Sequence, residues 1–454
     1  QFIFFFRHIN KLNSSFMKKS LFLLLFLLTG LLVQAQKVQF EEYDLPNGLH
    51  VILHKDNGAP LVTTSVLYHV GAKDEEPQRT GFAHFFEHLL FEGTKNIGRG
   101  EWFSIVSSNG GTNNAYTSDD YTYYYEVFPS NNLELSLWME SERMLHPVIN
   151  KIGVDTQNEI VKEEKRNNYD NRPYAYYQDI VKENLFDKHP YKVASIGSME
   201  DLDAASLDEF IAFKDTFYVP NNSVLVVAGD IKIPETKKMI EDYFGPIPRG
   251  PKINRIDIKE DPINVSRKAT YYDKNIQLPA VFSGFRIPGV KTRESKVLEF
   301  ISTYLSDGKS SKLYKKMVDQ EKIALEVGAF NLSLEDYGIY IILALPLGDT
   351  SLNSLVLSME KEVEKIQNEL ILEKDFQKIK NKFEMNFVNS NASVEGIANS
   401  LAEYFTFFGE TNLINTEIDI YRSITREEIQ AVAKKYLNKN QRLVLDYLPE
   451  SAKK

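Results

Sequence analysis

The 454-residue sequence contains no cysteine. Disulfides, thiolate metal sites and cysteine nucleophiles are therefore excluded. Histidine is scarce, eight in the whole chain, so a metal would have to be held by a few imidazoles together with carboxylates. Basic residues are not in excess: 53 Lys and Arg against 63 Asp and Glu leave a net charge of −10. That balance discourages nucleic acid and anionic membrane as partners and mildly favours basic ligands. A long hydrophobic span is missing too. The apolar run over residues 21–32 has twelve residues, short of the ~20 a membrane-spanning helix needs.

That run has another reading. Met17-Lys18-Lys19 is a short basic start, and Val33-Gln34-Ala35 closes the run with the small residues a signal peptidase reads. Residues 17–36 are expected to be a signal peptide. Residues 1–16 precede it and are expected to be an artefactual upstream extension. The chain is then exported, to a bacterial periplasm or beyond, with no stable membrane anchor.

With 43% hydrophobic and 26% charged residues, the remainder has the composition of a folded protein too long for one core. Pro46-Asn47-Gly48 predicts a hairpin turn between strands within residues 37–53. Further strands are expected over residues 64–70 and within 116–128, followed by a helix reaching Leu145. Two distant stretches share one plan. Ser206 and Glu209 are spaced as a capping box, followed by Phe217, Asn221 and a strand from Val224. Thr425, Glu428, Tyr436, Asn440 and Leu443 repeat it at the same offsets, which suggests a duplicated unit. The expected fold is α+β: two homologous α/β halves, each an antiparallel sheet with helices packed on it. Their expected limits are 37–250 and 263–454, with 251–262 as a linker rich in Pro and Gly on its N-terminal side.

The chemistry concentrates in residues 80–93. Thr80 is placed to cap a helix and Gly93 to end it. Within that helix His84 and His88 are four apart, so both imidazoles leave one face and can reach a single zinc. Phe85, Phe86, Leu89 and Leu90 supply an apolar wall. Glu87 lies inside the pair, where its carboxylate can take a proton from a zinc-bound water attacking a peptide carbonyl. A third ligand is required, and no other histidine has ligand spacing. Residues 157–166 read as a helix with Gln157, Ile160, Val161 and Glu164 on one stripe, so Glu164 points inward and Glu163 away. A carboxylate on an apolar stripe needs a partner, and the metal would be one.

At these residues the chain resembles the pitrilysin/insulinase family, the inverzincins. The likeness runs from Phe40 to Leu448. It passes through Leu45-Pro46-Asn47-Gly48-Leu49, Gly81-x-Ala83-His84-x-x-Glu87-His88, Phe91-x-Gly93-Thr94, Gly110-Gly111-x-x-Asn114-Ala115-x-Thr117 and Ile160-Val161-x-Glu163-Glu164, then residues 305–314. The resemblance implies half of a clamshell, one Zn2+ per chain on His84, His88 and Glu164, and Glu87 as general base. It also implies that Asn114 and Ala115 lie on a strand edge where an extended peptide substrate pairs. The expected activity is that of a zinc metalloendopeptidase acting on peptides or unfolded polypeptides.

The sequence departs from the family pattern twice. Gln157 stands where the family usually has a supporting glutamate seven residues before the third ligand, so one negative charge near the metal is missing. Val318 and Leu325 stand where active clamshells bring an Arg and a Tyr to the substrate. Neither can donate to a developing oxyanion, a contribution worth roughly 10²–10³ in rate. The resemblance therefore implies a zinc-bearing subunit whose related partner supplies Arg and Tyr, with a homodimer as the alternative. A non-catalytic, core-type binding protein of the same fold is the competing reading.

Overall fold

The computed structural model describes residues 37–255 and 257–453. The expected upstream extension and the whole expected signal peptide lie outside those residues. No helix among the described residues is long and apolar enough to cross a membrane.

Alternating and all-apolar runs become two sheets. The first has six strands: β1 (Glu41–Asp44), β2 (His50–Lys55), β3 (Leu61–Tyr68), β4 (Thr112–Thr117), β5 (Thr122–Pro129) and β6 (Ser223–Gly229), in the order β1-β2-β6-β3-β5-β4. The second has five: β7 (Arg267–Asp273), β8 (Ala280–Pro288), β9 (Ala324–Ser333), β10 (Tyr337–Pro346) and β11 (Arg442–Pro449), ordered β7-β11-β8-β10-β9. Pairing is antiparallel except that β2 runs parallel to β6 and β7 parallel to β11. The Asn47-Gly48 turn joins β1 to β2 as expected, with Gly48 at φ +89°. Strand β4 forms one edge of the first sheet and β9 one edge of the second.

Helices of the first half include α1 (Phe82–Leu89), α2 (Leu133–Leu145), α3 (Lys151–Lys165), α4 (Tyr177–Leu185), α5 (Leu207–Phe217) and α6 (Ile233–Phe244). Those of the second include α7 (Arg293–Ser306), α8 (Leu352–Asn368), α9 (Val394–Glu403) and α10 (Arg426–Tyr436). The two halves repeat one plan. Ser206 caps α5 and Thr425 caps α10, each accepting from the backbone N–H three residues on. An arginine near the start of α1, Arg79, pairs with Glu209, and Arg293 at the start of α7 pairs with Glu428. Only the first repeat is a reciprocal capping box; the Glu428 carboxylate holds Arg293 bidentately.

The halves exchange helices. Helix α4 of the first half lies on β7, β8 and β11, where Val181 and Leu185 share a core with Ile339, Leu443 and Tyr447. Gly284 permits this approach, since a Cβ there would meet Val181 Cγ1 at 2.8 Å. Helix α9 of the second half crosses β3 and β6, and Asn399 accepts from the Tyr116 hydroxyl at 2.6 Å. The turn between β9 and β10 is also built into the first half. The Asp120 carboxylate accepts from the Glu335 backbone N–H, and Lys73 meets both Glu335 and Asp336.

Candidate metal centre

Helix α1 buries Phe82, Phe85, Phe86 and Leu89, stacking the aromatic rings against Phe210 and Tyr218. Each such side chain contributes ~1.5–3 kcal/mol by leaving water, so the helix is fixed by its apolar side. Its start differs from the sequence reading. Thr80 is not the cap; its hydroxyl donates to Asp201. The N-cap is Gly81, at φ +90°, where a Cβ would meet the Ile196 carbonyl at 2.8 Å. The buried N–H groups at the helix start are satisfied instead by Glu75, whose carboxylate accepts from Gly81 and Ala83 at 2.7 and 2.8 Å. The helix ends at Leu89 with Leu90 as its cap, and Gly93, at φ +134°, lies in the turn beyond.

The fixed helix presents His84 and His88 side by side, their ring centroids 4.9 Å apart. Helix α3 brings up Glu164, which follows His88 by 76 positions in the chain. Its inward residues are Gly153, Gln157 and Val161, while Ile160, expected on that stripe, is 44% exposed. The Glu164 Oε2 atom lies 3.1 Å from His88 Nε2 and 3.5 Å from His84 Nε2. Glu163 turns away and pairs with Arg166. Beyond Glu164 the helix widens into a π turn over Arg166–Asp170, and Asn168 donates to the other Glu164 oxygen at 3.3 Å.

These three residues are the only group among the described residues that brings three possible ligand atoms within 4.8 Å of one another. Tetrahedral coordination at 2.0–2.2 Å puts neighbouring ligand atoms about 3.3–3.6 Å apart; the 3.5 Å separation from His84 falls in that range and the 3.1 Å separation from His88 lies just below it. Protonation fits as well. Burial, helped by His88, holds His84 down at about 4, so it is neutral near pH 7. A hydrogen bond with His88 holds the Glu164 carboxyl below its usual range despite partial burial. Two imidazole nitrogens and one carboxylate oxygen suit a divalent cation such as zinc.

Glu87 leaves the same helix beside this cluster. Burial raises its pKa, opposed by a hydrogen bond from Thr117 at 2.7 Å. Thr117 ends β4, so the side chain ties the edge strand to Glu87. The β4 residues Asn114 and Ala115 lie on that edge, Asn114 exposed and Ala115 buried, and Asn114 Oδ1 accepts from the Ala115 N–H. Gln157 is buried, and its amide donates to Glu92 at 2.6 Å. Val318 packs against the second core and Leu325 is 47% exposed on β9; both are far along the chain from the cluster and offer no polar atom. Sequence reasoning missed Glu75 and gave Thr117 no role. Thr117 could have been found from its place two residues after Ala115 on the same strand face.

The description "Insulinase (Peptidase family M16)" matches residues 50–198 and "Peptidase M16 inactive domain" matches residues 204–383. The first segment contains His84, Glu87, His88 and Glu164; the second contains none of them. The chain is similar to zinc protease PqqE of Helicobacter pylori, 27% identical over 374 residues, covering 82% of this chain and 84% of that protein. A crystal structure of a protease from Helicobacter pylori superposes with a TM-score of 0.84 at 26% identity, covering 91% of this chain and all of that one. The periplasmic protease PqqL from Escherichia coli shares the fold, with a TM-score of 0.74 at 18% identity; 91% of this chain corresponds to 48% of that one.

Proposed function

Because the chain belongs to the insulinase peptidases, family M16, we propose that it is a zinc-dependent endopeptidase of unfolded polypeptides. The observation that carries this reading is the meeting of Glu164 with the paired imidazoles of His84 and His88, with Glu87 beside them. These three ligands would hold one Zn2+ per chain. When bound, the ion supplies a Lewis acid that polarises the scissile carbonyl and acidifies water.

The protein's own groups supply the rest. Glu87, steadied by Thr117, accepts the proton of the attacking water and passes it to the leaving nitrogen. Strand β4 pairs with β5 on one side only, so an extended substrate would add to its other edge at Asn114 and Ala115, taking the Ala115 N–H from the Asn114 side chain. Folded proteins have no free strand to add there, which favours unfolded chains.

The reading includes a second subunit. A donor to the developing oxyanion is needed, and Val318 and Leu325 provide none. The correspondence of this chain to about half of PqqL supports a two-chain clamshell in which a related partner brings the Arg and Tyr, a homodimer being the alternative arrangement. Export to the periplasm rests on the leader-like residues 17–36. The test is cleavage of β-casein by zinc-loaded protein together with the co-purified partner. Wild type should cut, and Glu87→Gln should keep its zinc while cutting at least ~10² slower. A Glu87→Gln variant that cuts at the parental rate would remove Glu87 from the mechanism.

A further inference from the structure

The second half contains a cavity of about 380 Å³ between β8, β10, helix α8 and the end of α10. It lies in the half that lacks the metal cluster. Its floor is apolar, with Phe285, Ile342, Met359 and Leu437 all buried.

The sister half shows that the fold does not require this space. In the second sheet Ser283 stands opposite Val444 and Ile342, and Phe285 opposite Arg442. In the first sheet Val66 stands opposite Leu225 and Tyr124, and Tyr68 opposite Ser223. Leu437 closes helix α10 as Tyr218 closes α5. The positions held by Val66, Tyr68, Tyr124 and Tyr218 are therefore held by Ser283, Phe285, Ile342 and Leu437. The three tyrosines are fully buried, with Tyr68 packed 5.9 Å from Tyr124 and 5.0 Å from Tyr218. One scaffold is filled in one half and hollow in the other.

The hollow half loses three tyrosine hydroxyls but places two unpartnered polar groups of its own, on Ser283 and Arg442, against the cavity. Ser283 is 2% exposed, and its hydroxyl has no protein partner, where the sister half has a valine. Arg442 donates from Nη2 to Glu360, yet its buried Nε–H has no partner. The two are diagonal neighbours on one sheet face, about 7–8 Å apart at Cα. Two buried donors without acceptors are costly, and a single carboxylate could meet both. The walls carry three cations, Lys434, Lys439 and Arg442, against the carboxylates of Glu360 and Glu364.

We propose that this cavity is a second ligand site, separate from the His84–His88–Glu164 cluster, that takes a small carboxylate bearing a bulky apolar group. The apolar group rests on Phe285, Ile342, Met359 and Leu437, and the carboxylate accepts from Ser283 and Arg442. The site is independent of peptide hydrolysis, so either reading can fail alone.

The probe is 3-phenylpropionate, titrated by calorimetry into metal-free full-length protein so that the zinc ligands cannot capture it. Saturable one-site binding is expected, unchanged by His84→Ala. Ser283→Val, which restores the residue of the sister half, should weaken it at least tenfold, and Leu437→Tyr should abolish it. The amine analogue, 3-phenylpropylamine, should bind at least tenfold more weakly. Absence of saturable binding to the wild type, equal binding by Ser283→Val, or equal binding of the amine would each overturn the proposal, leaving a cavity that holds water only.

Discussion

The Thr117 hydroxyl donates to Glu87 Oε2 at 2.7 Å, so the free edge of the first sheet and the helix bearing both histidines meet at one carboxylate. A displacement of β4 is therefore transmitted directly to the group proposed as the base. A hydrogen bond to a charged partner is worth about 1.5–3 kcal/mol. Thr117→Val should lower kcat/KM by roughly 10–100-fold while zinc content stays constant. Steady-state kinetics paired with metal analysis checks this, and an unaltered rate would sever the link.

Glu75 acts on the same helix from its other end. Its carboxylate accepts from the Gly81 and Ala83 N–H groups, and without it those donors are buried and unmet. Glu75→Ala should cost about 1–3 kcal/mol of stability and weaken zinc binding roughly tenfold as the His84 turn loosens. Urea unfolding and competition with a zinc chelator measure the two effects separately. Stability loss with unchanged zinc affinity would confine Glu75 to folding.

The join between the halves should be acid-sensitive. Burial alone would raise the Glu335 pKa, but the hydrogen bond from His69 and the charge of Lys73 reverse that and hold it well below the carboxylate range. A depressed folded pKa gives stability that is full above the unfolded value of about 4.3 and lost as pH falls below it. Glu335→Gln should therefore cost about 1–3 kcal/mol at pH 7, since Lys73 is 4% exposed and keeps only its aspartate partners. The deficit should shrink between pH 4 and pH 2. Denaturant titrations across that range test it; a pH-independent deficit would count against the ion pair.

Gly284→Val should loosen the exchange of helices. The first added carbon already meets Val181 at 2.8 Å, and overpacking of this kind costs about 1–3 kcal/mol. Thermal unfolding reads the loss, and an unchanged midpoint would mean that α4 is free to shift away from the second sheet.

The sequence carried some of this architecture better than the rest, for physical reasons. His84, Glu87 and His88 share one helix, and a 3.6-residue period is enough to relate their directions. Glu164 is brought to them by packing between helices, and an apolar stripe drawn along α3 wrongly included Ile160 because α1 covers only the Gly153–Gln157–Val161 side. Thr80 has the chemistry of a cap, but Asp201, distant in sequence, claims its hydroxyl. The exchange of α4 and α9 left no mark, since an amphipathic pattern says that a helix is buried and not which sheet buries it. Likewise the matching offsets after Ser206 and Thr425 revealed the repeat, while Arg293 decided that Glu428 would not close its cap.

The most direct test is zinc stoichiometry in purified protein carrying single substitutions of the two adjacent glutamates. Wild type and Glu163→Ala should each hold about one zinc per chain by plasma mass spectrometry, and Glu164→Ala should lose most of it. Equal zinc in Glu164→Ala and wild type would contradict the account, because the carboxylate that meets the two imidazoles would then have no part in holding the ion.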